Sequence, residues 1–456
     1  MRHIIKILIL ILFNTIVRGQ CYKSIATGGE STLAIKTDGS LWAWGRNYEG
    51  QLGDSTIINK INPTRIGLDT NWLMVSASMY HSLGIKTNGT LWAWGFNYYG
   101  QLGDGTVTNK ITPTQIGVDT TWKEIKAGDI HSLALKENGS LWAWGANFVG
   151  QLGDGTIINK TTPTQIGTDT NWQTIGIGNI FSVALKNNGT IWTWGDNSYG
   201  QLADSTFIEK HIPTRVGVDS DWQSIACGSA HVIALKTNGT IWSWGQNFNG
   251  QLGDNSITHK NIAQQMGNDS DWYSIAKGSF HSFGIKNNGT KWSWGLNFDG
   301  QLGDGTTSDQ TNPVPLININ NNVAIIDAGW SFTNVIESDG TFWSWGRNDR
   351  GQLGNNTSIN SSTPIVSSYC EPLGIRANDK NLCFGVFPNP ANETIQLLNF
   401  NNQPIDKIVI TNILGKIVLE KKETDCIINI KDLPKELYIL ETTSNGKTYR
   451  SKFIKQ

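Results

Sequence analysis

Histidine and aspartate recur at a fixed spacing, and both residue types can do chemistry. His81, His131, His231 and His281 share one column of a fifty-residue spacing, whose slot holds Ser31, Phe181 and Phe332 elsewhere. Imidazole is a common metal ligand and general base, but zinc needs three or four ligands converging at about 2 Å. One histidine per repeat does not supply that. These histidines are expected to hydrogen-bond a neighbouring loop. Asp54, Asp104, Asp154, Asp204, Asp254 and Asp304, with Asn355 in the seventh copy, suggest calcium loops. Calcium takes about six to eight oxygens, and companion oxygens are too few here; side-chain bonding within a turn accounts for the aspartates and for the asparagine. There is no nucleophile elbow, His-Glu-x-x-His or phosphate loop. A catalytic residue should stand out against a repeated background. The departures noted are few and scattered: Phe181, Ala203, Cys227, Glu337 and the stretch at Val323 that lacks its Trp. No catalytic residue, metal ligand or cofactor is therefore assigned.

Aromatic side chains are the better candidates for recognition. One variable column holds Tyr48, Tyr98 with Tyr99, Phe148, Tyr199, Phe248 and Phe298. A second holds Tyr80, Phe181, Phe280, Trp330 and Phe332. Exposed aromatics in a ring would grip a protein or stack on sugars. The first column can equally be wedged between adjacent repeats, whereas the second varies more and is the favoured surface.

The elements that carry these columns follow from an internal period. Trp-x-Trp-Gly occurs at Trp42, Trp92, Trp142, Trp192, Trp242, Trp292 and Trp343, seven copies spaced 50 residues apart and once 51. All 20 Trp lie inside this array, and 50 Gly in 456 residues indicate many tight turns. In one unit Leu133 and Leu135 alternate with small or polar neighbours, as do Leu141 and Ala143, which is the period of a strand. Asn138-Gly139 between them is a hairpin signal, read as a turn with both residues at positive φ. Another short strand follows the long loop, at Pro113–Gly117, so each unit carries four short strands. A four-stranded sheet cannot cover both its faces alone, whereas stacking seven radially does so and leaves only short edges. An open solenoid has no reason to stop at seven. The fold class expected is all-β, a seven-bladed β-propeller followed by a small β-sandwich.

The string Trp-x-Trp-Gly-x-Asn-x-x-Gly-Gln-Leu-Gly-Asp at Trp92–Asp104, Trp142–Asp154 and Trp292–Asp304, with Ala127–Ser132 before it, resembles the repeat of the regulator of chromosome condensation family. The resemblance covers residues 22–368 and implies the same seven-bladed ring. Because the array begins at Tyr22-Lys23-Ser24-Ile25 and ends at Thr363-Pro364-Ile365-Val366, units are expected to be out of phase with blades, one blade joining both ends. Members of that family include a nuclear exchange factor and secreted inhibitors of β-lactamases. A net charge of −1 and the export signals below argue against the nuclear role and against nucleic acid as partner.

Residues 1–19 read as a signal peptide: a basic start, an apolar run from Ile7 to Phe13 too short to span a bilayer, and a cut after Gly19. No transmembrane segment is expected. The propeller is expected over residues 20–369, a linker over 370–383 and a secretion domain over 384–456. There Trp is absent and β runs begin at Thr394, Lys407, Gly415, Ile427 and Leu437. Pro388-Asn389-Pro390, Gly415 within Asn412–Lys416, Tyr438, and the terminal Lys452 to Lys455 resemble the type IX sorting domain of Bacteroidetes. That resemblance implies the type IX machinery as a partner and delivery to the medium or the outer-membrane surface of a Gram-negative cell. Of five cysteines, Cys21 and Cys370 flank the array and would staple it, with Cys370–Cys383 as the competing pair and Cys227 and Cys426 remaining. The function expected is non-enzymatic binding or adhesion to an unknown extracellular protein or glycan. A carbohydrate-active propeller enzyme is the alternative.

Overall fold

The computed structural model describes residues 21–319, 323–368, 384–387, 391–399, 405–412, 415–422, 427–444 and 447–455. The expected signal peptide, the linker and Pro388, Asn389 and Pro390 lie outside the described residues. The chain divides into two units, one of them Cys21–Cys370 and the other containing Glu371–Gln456.

Within the first unit, blade 1 is built from β1 (Tyr22–Thr27), β2 (Ser31–Lys36), β3 (Leu41–Gly45) and β4 (Lys60–Ile66). The strands pair antiparallel in sequence order. Six further four-stranded sheets repeat this order, beginning at Trp72, Trp122, Trp172, Trp222, Trp272 and Val323. Every blade is thus one contiguous segment. This corrects the expectation that one blade would combine both chain ends.

The ring closes through side chains instead. Tyr22, Ile25, Ala34 and Trp44 of blade 1 share a buried cluster with Ile336 and Phe342 of blade 7. Asp327 Oδ2 accepts the Thr27 amide at 2.7 Å, and Trp44 Nε1 donates to the Gln352 carbonyl at 2.9 Å. The second bond is the ordinary inter-blade bond of this array: Trp94 donates to Gln51 O and Trp144 to Gln101 O, each at 2.9 Å. The Gln-Leu-Gly loop is therefore a socket for the next blade's second Trp, blade 7 offering it to blade 1; the bond is made at six of the seven junctions, Trp194 Nε1 of blade 4 being buried without a partner. Trp144 is fully buried among Leu83, Ile85 and Leu102 of blade 2, so apolar burial between blades supplies the main attraction.

The hairpin turns differ from the sequence expectation. Only Gly139 takes positive φ (79°), not Asn138. Asn138 Oδ1 instead accepts from the Ser140 amide and hydroxyl at 3.0 and 2.7 Å. A three-residue loop ending on a left-handed glycine twists with the strands as well as a two-residue one does.

The second unit holds a three-stranded sheet (Phe384–Phe387, Thr394–Asn399, Ile427–Asn429) and a four-stranded sheet ordered Ile417–Lys422, Lys407–Asn412, Leu437–Ser444, Lys447–Ile454. Ile395, Leu397 and Ile428 of the first share a core with Ile408, Tyr438 and Phe453 of the second. Tyr438 is fully buried, stacked on Phe453, and its hydroxyl donates to Pro434 O. Gly415 (φ 79°) closes the turn after Asn412. Lys452 lies in the last strand, and the Lys455 amide donates to Glu436 O.

Candidate binding face and central channel

Strand direction decides which loops share a face. The chain runs along β1, turns at Gly28–Glu30, returns along β2, turns at Asp38-Gly39 and runs back along β3. Hence the short β1–β2 turn and the long loop between β3 and β4 emerge at the same end of the blade. Both aromatic columns come to that one face.

The long loops are tied down by their own side chains. Asn97 Nδ2 donates to Asp104 Oδ1 and to the Thr106 and Thr108 carbonyls, while its Oδ1 accepts the Leu102 amide. Asp104 accepts from the Thr106 amide and pairs with Lys110 at 3.2 Å. In the seventh copy Asn355 accepts the equivalent amide, from Thr357. The recurring acid column is loop structure. The His column is inter-blade structure: His131 Nε2 lies 2.9 Å from Ser182 Oγ, and that hydroxyl donates to Gln151 O. The hydroxyl must therefore accept from imidazole Nε2–H. Burial holds His81, His131, His231 and His281 neutral, pushed down to about 3.

On this rigid face the first aromatic column is the exposed one. Tyr48 is 48% exposed, Tyr98 68%, Phe148 47% and Phe298 77%. Tyr80, Tyr99, Tyr199, Phe280 and Trp330 are half-buried. Phe181 and Phe332 are fully buried, which corrects their assignment to the surface. Their slot folds over the glycine of the blade's own first turn: a methyl on Gly178 would stand 1.9 Å from the Phe181 ring, and one on Gly329 2.5 Å from Phe332. The same slot takes His231 against Gly228, so the column is interior in every blade that fills it with a ring.

Blades 1 to 3 bring the exposed rings together. The Arg46 guanidinium lies 5.1 Å from the Tyr48 ring and 5.4 Å from Tyr80. Tyr80 meets Phe96 at 5.8 Å, Phe96 lies nearly parallel to Tyr98 at 6.3 Å, Tyr98 meets Tyr99 at 5.0 Å, and Tyr99 meets Phe148 at 5.1 Å. Tyr199, Phe248 and His259 form a smaller group between blades 4 and 5. Sequence reasoning missed Phe96. Its signal was being the one aromatic in a column of Arg46, Ala146, Asp196, Gln246, Leu296 and Arg347.

The first strand of every blade lines a central channel of about 440 Å³. At the aromatic-face end, backbone bonds join the first turns of blades 4, 5, 6, 7 and 1: Asn179 N donates to Ser229 O, Ser229 N to Ser279 O, Ser279 N to Gly329 O and Trp330 N to Gly29 O. Five charged residues line the channel: Glu124, Lys126, Asp129, Lys277 and Asp327. Burial pushes the Asp129 carboxyl up to about 6, against the Met79 amide and Lys277. Burial likewise raises Asp327 and pushes the Cys227 thiol up to about 12. These charges were also missed, although Glu124, Asp129 and Lys277 are each the one charge in their column and Lys126 and Asp327 the two in theirs. Lys277 stands where the other blades have Thr27, Ala77, Ala127, Ile177, Cys227 and Ala328. Among the described residues no group of three or more His, Cys, Asp or Glu gathers as a metal site, and no helix is long and apolar enough to cross a membrane.

Comparison with known proteins agrees with this architecture. Residues 9–216 and 122–386 match the RCC1-like domain, and residues 385–456 match the secretion system C-terminal sorting domain. Human WBSCR16 superposes with a TM-score of 0.64 at 22% identity, over 70% of this chain and 88% of that one. Prp20p from Saccharomyces cerevisiae gives 0.61 at 24% identity, over 70% and 83%. Yeast RCC1 (Prp20) bound to Kap60 gives 0.62 at 23% identity, over 70% and 81%. No curated protein matches the sequence.

Proposed function

The chain belongs to the RCC1-like domain family, its sorting tail directs it to type IX export, and from that premise we propose that its propeller is a non-enzymatic binding module outside the cell. The observation that carries this reading is the run of rings on blades 1 to 3, from Tyr48 through Tyr80, Phe96 and Tyr98 to Phe148. Exposed apolar rings on a scaffold locked by Asx bonds lose little freedom on docking, which favours recognition. The partner is an extracellular protein or a glycan, and adhesion at the cell surface is the role that combines the two domains.

The test is a glycan array and a pull-down from the native environment with the full chain. Tyr98→Ala and Phe148→Ala are each expected to weaken capture at least tenfold, since exposed anchors of this kind carry about 2 kcal/mol or more. Phe298→Ala, outside the run, is expected to have little effect. Equal loss in all three, or turnover of a bound polysaccharide, would defeat the reading.

A further inference from the structure

We propose that a polar key at the junction of blades 7 and 1 selects which blade closes the ring on blade 1, excluding closure by blade 6 and so fixing the count at seven.

Near-identical blades leave that choice open. Four-stranded blades form rings of about four to eight, and the inter-blade Trp bond recurs at six of the seven junctions here. Blade 6 carries the same socket as blade 7: its Gln301 carbonyl takes Trp345 as the Gln352 carbonyl takes Trp44. The recurring Trp socket therefore does not separate the two closures.

The 7–1 junction holds groups that do separate them. Asp327 Oδ2 accepts the Thr27 amide at 2.7 Å. Asn334 Nδ2 donates to Thr27 Oγ1 at 3.2 Å and to Thr32 Oγ1 at 3.0 Å. Arg347 Nη1 pairs with Glu30 Oε1 at 2.9 Å. Thr27, Glu30, Thr32 and Asn334 are all buried. In blade 6 the positions of Asp327, Asn334 and Arg347 hold Ala276, Phe283 and Leu296, whose side chains neither accept the Thr27 amide nor pair with Glu30. Phe342, which packs on Tyr22 at 5.3 Å, has Lys291 as its counterpart there. Closure by blade 6 thus strands a buried amide and a buried hydroxyl, and leaves Glu30 with Arg46 at 3.6 Å; unmade bonds of this kind are costly.

Stability does not account for the key. Leu33, Leu83, Leu133, Val183, Ile233 and Phe283 fill the Asn334 position in the other blades, while Asn334 Oδ1 is buried with no partner. Burial also raises the Asp327 carboxyl. Apolar side chains avoid both costs, whereas a buried polar set that finds its complement at one place specifies register.

The experiment rebuilds this junction in the full chain with the residues of the 2–3 junction, where Ser76 Oγ accepts the Ala127 amide at 2.9 Å and His81 meets Ser132. The variant is T27A/D327S/F332H/N334L. Parent and variants are refolded from urea with a reductant present, so that the Cys21 disulfide does not choose the closure. Size-exclusion light scattering and limited proteolysis then count misclosed chains: oligomers, and monomers in which residues 323–368 are digested first. The quadruple variant is expected to regain its Trp fluorescence with a misclosed fraction at least tenfold above the parent, and N334L alone at least threefold above it. If the quadruple variant does not fold, N334L decides by the same criterion. Refolding as clean as the parent's overturns the proposal. Failure of both variants to fold also overturns it, since the polar set would then serve stability rather than choice.

Discussion

Asp129 shows what the channel does to a single residue. Its carboxyl is raised to about 6 in the folded chain, so the folded state keeps a proton that the unfolded chain gives up near pH 4. Stability therefore declines as pH rises from about 4 to 6, and the deficit persists above that. Asp129→Asn has no charge to desolvate. It is expected to be more stable than the parent at pH 8, by up to about 3 kcal/mol, with most of the difference gone at pH 4. Thermal unfolding at the two pH values checks this, and a variant advantage confined to acid would contradict it. The paired Trp columns give a second prediction. Trp144 is fully buried and donates to Gln101 O, whereas Trp142 is half-buried beneath Lys136 at 3.8 Å. Trp144→Ala should cost about 3–5 kcal/mol and Trp142→Ala clearly less, measured by urea titration.

At the level of the blade, turns and sockets rather than the strands distinguish one position from another. Gly117 and Gly139 both take positive φ (61° and 79°). Beyond Gly117 nothing lies near an added methyl, while one on Gly139 would stand 2.1 Å from the Thr170 carbonyl. Gly117→Ala is expected to cost about 1 kcal/mol for the left-handed backbone alone. Gly139→Ala should lose at least twice as much, because Thr170 begins the approach to the next strand and cannot move independently. Equal losses in chemical denaturation would show that the hairpin and the inter-blade loop are not in register as described. The alternation of Leu133, Leu135 and Leu141 made the hairpin legible. The turn type was not, because Asn138 satisfies the turn by its side chain rather than by its φ.

For the whole molecule the question is how a ring without a shared blade stays shut. Tyr22 packs on Phe342 at 5.3 Å, and Phe342 pairs with Ser368, two residues before Cys370. Cys21, beside Tyr22, is disulfide-bonded, and the other candidate partners lie outside the described residues. Non-reducing peptide mapping is expected to find Cys21 joined to Cys370, and Cys21→Ser to cost about 2–5 kcal/mol. A Cys21–Cys383 peptide would move the staple into the following segment. The sorting domain has its own core, so a chain ending at Tyr369 is expected to fold its propeller yet stay in the periplasm. Surface delivery of that truncation would remove the sorting role.

Repeat number, strand count and the division into propeller and tail were determined by the sequence, because period, turn residues and apolar alternation are local and recur seven times. Tertiary structure alone decided which aromatics face solvent. Phe181 and Tyr98 look alike as letters, but one slot folds over its own turn glycine and the other crowns a loop pinned by Asn97. It also decided how the ring closes and that Lys126 and Lys277, 151 positions apart, face one channel, since closing seven sheets into a circle brings distant first strands together.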